Sequence, residues 1–212
     1  MRVSKKPEER KNEILDNAEK LFGTKGYSKT TINDILLAVG IAKGTFYYYF
    51  KSKEEVMDAI VMRFIDNGIE NIKAIAQNKN LNAKEKLFQI IMFKSPDIPQ
   101  KEPILEQFHQ ASNAEMHQKS LVQSILRLTP ILTDVVEQGI EEGNFNTPYP
   151  KEVVEFLLVS SQFLFDEGIF SWTQEEILKK SQALVYITEA SLGEEKGSFD
   201  YIMHPYEETE KG

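Results

Sequence analysis

Three consecutive tyrosines, Tyr47, Tyr48 and Tyr49, stand between Lys43, Gly44 and Thr45 on one side and Lys51 and Lys53 on the other. Residues of these types in this order suit a nucleic acid. Lysine ammonium groups and tyrosine hydroxyls donate to phosphate oxygens, a lysine on a helix in the major groove reaches guanine acceptors, and a threonine methyl suits the methyl of thymine. Gly44 has no side chain and lets the backbone approach base pairs closely. Taking Phe46 and Phe50 as inward anchors four residues apart leaves Lys43, Gly44, Thr45, Tyr47, Tyr48 and Tyr49 outward in differing degree. Successive helical positions point about 100° apart, so the three tyrosines cannot all be buried in so small a unit.

Charge supports that reading only when it is divided by position. The 212 residues carry a net charge of −8, which taken alone argues against a nucleic-acid partner. Residues 1–53, however, hold eleven Lys and Arg against six Asp and Glu, whereas residues 54–212 hold fourteen against twenty-seven. A basic head of +5 therefore precedes an acidic body of −13.

Other chemistries find few residues to carry them. The chain has no cysteine, which excludes disulfides, a thiolate nucleophile and any zinc site built on sulfur. His109 and His117 lie two helical turns apart with no third ligand in view, so no metal is expected. No GxGxxG, GxSxG, P-loop or HExxH pattern occurs, and Glu141 and Glu142 are adjacent, hence not on one face. Neither an enzyme nor a cofactor is expected. The first ten residues are polar, and no apolar run approaches the roughly 18 residues of a membrane span, so the expectation is a cytoplasmic protein without a membrane partner.

The elements that must position the candidate residues are helices. Apolar residues recur at three-and-four spacing with no sustained alternation, which predicts an all-α protein. A first helix runs from about Pro7 to a stop at Gly26, with Ile14, Leu15, Ala18, Leu21 and Phe22 inward. A second, capped by Thr30 or Thr31, buries Ile32, Ile35, Leu36 and Val39 and ends at Gly40. A third spans about 42–48. Ser52 and Glu55 form a capping box that opens a long fourth helix. Two short helices joined by a tight turn, behind a bracing first helix, are the parts of a helix-turn-helix unit.

The segment TTINDILLAVGIAKGTFYYYFKSKEE, residues 30–55, closely resembles the DNA-binding domain of TetR-family transcriptional repressors. The resemblance extends over residues 11–59. It implies that residues 42–48 are the recognition helix, that Tyr47 contacts a phosphate, and that Lys43, Gly44, Thr45, Tyr48, Tyr49 and Lys53 also occupy DNA-contacting positions. Thr31 and Asn33 are carried over on the supporting helix, and Lys51 joins the set by its place beside the tyrosines. The implied fold is an N-terminal three-helix helix-turn-helix domain, 1–53, plus a larger C-terminal helical domain for effector binding and dimerisation, 54–193, and a tail, 194–212. The implied function is ligand-released repression by a homodimer on a palindromic DNA operator, through a small-molecule effector that the sequence does not name.

Within the body, helices are expected near 83–94, 102–115 and 118–142, the last kinked at Pro130, then 150–170 and, opened by a Thr173–Glu176 capping box, to about Leu192. The stretches 151–170 and 174–192 are apolar on more than one face, which a single-sided surface helix would not need; a homodimer formed there would cover the second face. Large adaptable side chains, Phe64, Phe88, Met92, Phe108, His109, Met116, Phe163 and Trp172, are the candidates for an effector pocket, with Gln107, Gln110, Asn113 and Gln162 as orienting groups. In the tail, Phe199, Tyr201, Ile202 and Met203 are able to dock on the body. The alternative from another class is a helical protein-interaction module without sequence-specific DNA binding, which would explain the acidic body and leave the basic head unexplained.

Overall fold

The computed structural model describes residues 6–93 and 114–203, with the backbone alone at 114–116. Among the described residues there are eight helices and no strand: α1 (Pro7–Lys25), α2 (Ile32–Val39), α3 (Lys43–Tyr49), α4 (Lys53–Ala76), α5 (Ala83–Ile91), α6 (Ala114–Glu141), α7 (Pro150–Leu164) and α8 (Gln174–Leu192). A 3₁₀ turn, Asp200–Met203, follows. They form two compact units, one of residues up to Asp66 with 114–120, the other of 67–93 with 121–203. The helix expected at 102–115 lies outside the described residues, save for the last two of its positions, which belong to α6.

The first unit closes on a small, dense core. Ile14, Ala18 and Phe22 of α1, Ile35 of α2, Phe46 of α3 and Val56 and Met57 of α4 are all but inaccessible to solvent. Thr31 caps α2, its hydroxyl accepting from the Asp34 N–H at 3.2 Å while the Asp34 carboxylate accepts from the Thr31 N–H at 2.8 Å. Thr30 instead turns inward and donates to the Gly26 carbonyl. Gly40 ends α2 in the left-handed conformation, φ +71°, which a side chain would resist, and this permits the three-residue turn into α3. Ser52 accepts from the Glu55 N–H as the capping box requires, but the Glu55 carboxylate reaches one residue further back, to the Lys51 N–H.

Two body helices differ from the spacing-based expectation. α6 runs unbroken through 116–118, where Glu115, Met116, Gln118 and Lys119 are helix-compatible and no Gly or Pro intervenes. Pro130 lies inside this helix, as the sequence places it. α7 ends at Leu164 and not near Phe170, because Asp166 forms a turn by accepting from the Gly168 N–H and the Trp172 indole occupies the Leu164 carbonyl at 2.8 Å. The Thr173–Glu176 capping box opens α8 as expected.

The second unit is closed by its loops and tail. Both Asn144 and Phe145 N–H groups return to the Gly139 carbonyl, and the Phe145 ring lies where a Cβ on Gly139 would stand. Lys86, although buried, donates to Gln138, whose amide in turn donates to Leu81 O and to Glu142. Glu189, also buried, accepts from the Gly197 and Phe199 N–H groups at 2.7 and 3.2 Å. These bonds hold the chain after α8 against the unit, so Phe199 enters the core and Tyr201 meets Phe88 edge to face.

Candidate functional site

Phe46 and Phe50 are buried, which fixes the rotation of α3 and with it the outward set. Lys43, Gly44, Tyr47 and Tyr48 are exposed, Tyr48 at 76%. Thr45 is half-buried, and Tyr49 packs against the edge of the core while its ring meets Tyr48 at right angles. The Lys43 ammonium lies 5.8 Å from the Tyr47 ring centre. A Cβ added at Gly44 would meet no atom within 4 Å, and the residue has no positive φ, so nothing inside this fold demands glycine there.

On α2, Asn33 is exposed and Leu37, four residues on, is 82% exposed. Leu37 is the neighbour that sequence reasoning missed, since an apolar residue next to a core position gives no signal of its own. Thr31 faces solvent with its hydroxyl proton committed to Asp34. Lys51 is exposed. Lys53 is placed differently: its ammonium donates to the Tyr27 and Thr30 carbonyls at 2.8 and 2.9 Å and covers the Tyr27 ring at 4.1 Å. Two of its three donors therefore fasten the α1–α2 connection to α4.

Ion pairing inside the unit leaves the face cationic. Asp34 is bound by Lys25 at 2.6 Å, and this pairing, with the Thr31 N–H, holds its carboxyl well below the usual carboxylate range. Arg63 spans Asp16 and Glu19, each at 2.6 Å. Burial, followed by the nearby Glu54 carboxylate, pushes the Tyr27 hydroxyl up to about 12. With Asp34, Asp16 and Glu19 so paired, Lys43 on α3 and Lys51 just beyond it stand exposed.

Two family models cover this arrangement. Residues 14–60 match that of the bacterial regulatory proteins, tetR family, and residues 100–187 match the tetracyclin repressor-like C-terminal domain, together more than half of the chain. The chain belongs to the TetR family. TetR-family relatives include the negative transcriptional regulator of the biofilm operon, IcaR, of Staphylococcus aureus, 38% identical over 38% of this chain and 43% of that protein. The matched stretch thus spans less than half of that relative. The transcriptional repressor KstR2 of Mycobacterium tuberculosis is 28% identical over 72% of this chain and 78% of its own. These matches are regulators and not enzymes. Among solved TetR structures, a transcription regulator from Haloarcula marismortui aligns with a TM-score of 0.60 at 20% identity, covering 87% of this chain and 99% of that one. SmeT of Stenotrophomonas maltophilia, in complex with triclosan, aligns at 0.60 and 16%, covering 90% and 94%. At such identities the likeness is one of fold.

The second unit of this TetR-family chain contains a cavity of about 400 Å³, walled by α4, α5, α6, α7, α8 and the segment after α8. Of the eight residues expected to form an effector pocket, Met92 lines it. Phe88 is 47% exposed beside Tyr201, Phe163 is 45% exposed against Phe170, and Trp172 stacks on Phe170 under the Lys180 ammonium; none of the three is among the described lining residues. Phe64 lies on α4 in the first unit. Phe108 and His109, like Gln107, Gln110 and Asn113, fall outside the described residues, as does the Met116 side chain. The described lining is aliphatic for the most part, from Ile72 to Ile202, and its two polar members are Ser161 and Thr188, not Gln162. Among the described residues no three His, Asp or Glu side chains are close enough to hold a metal ion, and no helix is long and apolar enough to cross a membrane.

Proposed function

We propose that this chain is a sequence-specific DNA-binding regulator that acts as a homodimer on a palindromic operator and represses until a small-molecule effector releases it. The observation that carries the reading is the α3 face, in which Lys43, Gly44, Tyr47 and Tyr48 stand exposed on a helix locked by Phe46 and Phe50. Residues 1–53 are the DNA-binding part, 54–193 the effector-binding and dimerisation part, and 194–212 the tail. In this reading Lys43 and Thr45 read base edges, Gly44 admits the backbone to the groove, Tyr47, Tyr48, Tyr49, Lys51 and Asn33 hold phosphates, and Thr31, both of whose donors Asp34 takes, caps the supporting helix. Lys53 contributes its remaining donor to phosphate while its other two brace the unit.

Dimerisation is supported by apolar side chains that one chain leaves uncovered. Phe156, Val159 and Phe163 recur at helical spacing on α7, and Tyr186 and Ile187 are exposed on α8. Two such helix pairs would form a four-helix interface and set two α3 helices about one turn of the duplex apart.

The test is selection of bound duplexes from a random pool at physiological salt. Recovery of a palindromic consensus is the expected result, and light scattering should give the mass of a dimer at micromolar concentration. Tyr47→Phe should weaken binding to every sequence alike, whereas Lys43→Ala should relax preference at one base pair of each half-site. No enrichment over random duplexes by ligand-free protein would sink the proposal in favour of a protein-interaction module.

A further inference from the structure

The cavity of the second unit has a polarity that specifies its ligand more narrowly than its volume does. It holds about 400 Å³, against the roughly 150 Å³ of apolar space that suffices for benzene. Apart from Ser161, Thr188 and the Met92 thioether, its described lining is hydrocarbon or aromatic ring. Two charged groups buried among the described residues of this unit are engaged elsewhere: Lys86 donates to Gln138, and Glu189 accepts from Gly197 and Phe199. Neither is among the lining residues. An ionised group brought inside would lose its hydration and find no counter-charge among the described lining residues, a cost that exceeds the gain from burying a short hydrocarbon chain.

The two hydroxyls narrow the choice further. Ser161 donates to the Leu158 carbonyl at 3.1 Å and Thr188 to the Leu184 carbonyl at 2.8 Å, so both protons are committed to helix backbone. Each oxygen still accepts. The polar service that the described lining offers is therefore acceptance of a hydrogen bond, which suits a ligand O–H and leaves a ligand carbonyl or ether oxygen unmet. One wall is the segment 194–203, where Phe199 and Ile202 face the cavity because Glu189 holds the backbone on either side of Ser198.

We infer that this cavity takes an uncharged lipophilic molecule whose single polar group is a hydroxyl donor, with Ser161 or Thr188 as its acceptor and Ile202 as part of the wall that encloses it. This rests on the reading of the body as an effector-binding unit and names the class of that effector. It does not depend on DNA binding.

The probes are four molecules with one ten-carbon chain: decan-1-ol, its methyl ether, decanoate and decyltrimethylammonium. Each is titrated calorimetrically into the full chain without DNA. Decan-1-ol should bind, the ether several-fold more weakly, and both ions at least about tenfold more weakly, since each would bury an unpaired charge. Replacing Thr188 by Val and Ser161 by Ala together should erase the alcohol–ether difference while chain binding persists. Ile202→Trp, checked for an unchanged melting temperature, should block all four. Equal or tighter binding of either ion, no binding of the alcohol, or an alcohol–ether preference that survives the double substitution would each overturn the inference. A chain that takes decan-1-ol yet selects no DNA leaves it standing and removes the proposed regulatory role, so the two failures are distinguishable.

Discussion

The two units bury apolar surface to different degrees of completeness. In the first, the buried residues from Ile14 to Val61 form one cluster, in which Phe46 is wholly inaccessible to solvent. In the second, longer helices enclose a cavity of about 400 Å³ and leave Phe156 and Tyr186 each at least 70% exposed. A unit that presents a rigid face to a groove gains from dense packing, because the face is only as well placed as the helix beneath it. A unit that receives a ligand or a second copy of itself must keep apolar surface uncovered until the partner arrives.

The largest effect that would sharpen this contrast is expected at Phe46. Phe46→Ala removes a fully buried ring and should cost about 3–5 kcal/mol, enough to unfold the first unit. Amide exchange should then show α1–α3 unprotected while the amides of α8 keep their protection. Simultaneous loss of protection in both would break the comparison, since it would make the two units one cooperative body.

Gly139→Ala is the counterpart in the second unit. Its Cβ would stand 2.1 Å from a carbon of the Phe145 ring, which is itself buried, so the loop after α6 must shift. A loss of about 1–3 kcal/mol is expected from chemical denaturation, together with weaker decan-1-ol binding and unchanged protection in α1–α3. No change in stability would mean that the body accommodates a methyl group as loosely as its cavity suggests.

How much of this was legible in the sequence follows the same division. The helix-turn-helix could be located because its signals are chemical and local: Thr30 or Thr31 as a cap, Gly40 as a stop, Phe46 and Phe50 four apart. The cavity could not, because Leu132 or Val154 at core spacing reads the same whether it faces a neighbour or a void. Aromatic size was a poor guide there: Trp172 serves to close α7 by donating to Leu164. Lys53 was legible as a cation but not as a brace, since the carbonyls it binds belong to residues 26 and 23 positions away. The early end of α7 depended on an aspartate turn inside a run whose apolar content continues to Phe170.

Gly44→Ala tests the first unit's surface with a smaller effect of opposite sign. Glycine within a helix is less favourable than alanine by about 0.5–1 kcal/mol, and here a Cβ meets nothing in the protein. The variant should be more stable by up to that amount in a urea melt and bind its selected duplex more weakly, because the methyl group would stand between backbone and base edges. Unchanged DNA affinity with increased stability would show that α3 does not approach the groove closely at this residue.

The smallest effect concerns the joint that aligns α4 with the helix-turn-helix. Tyr27 donates to Glu54 at 3.4 Å, and its hydroxyl is pushed up to about 12 from 10.0, first by burial and then by the Glu54 charge. The folded state thus keeps a proton that the unfolded chain releases near pH 10. A group whose folded value is raised supports stability fully below its unfolded value and loses that support as the pH rises toward the folded one. Stability should therefore fall between pH 10 and about 12, by on the order of 1 kcal/mol given how much of the ring faces water. In urea melts, the stability of the native protein relative to Tyr27→Phe should decline across that interval, since the variant has no proton to lose at this position. A difference independent of pH would mean that the hydroxyl is as free in the folded unit as in the unfolded chain. The Tyr27–Glu54 contact would then play no part in holding α4 to the helices that carry the residues proposed to face DNA.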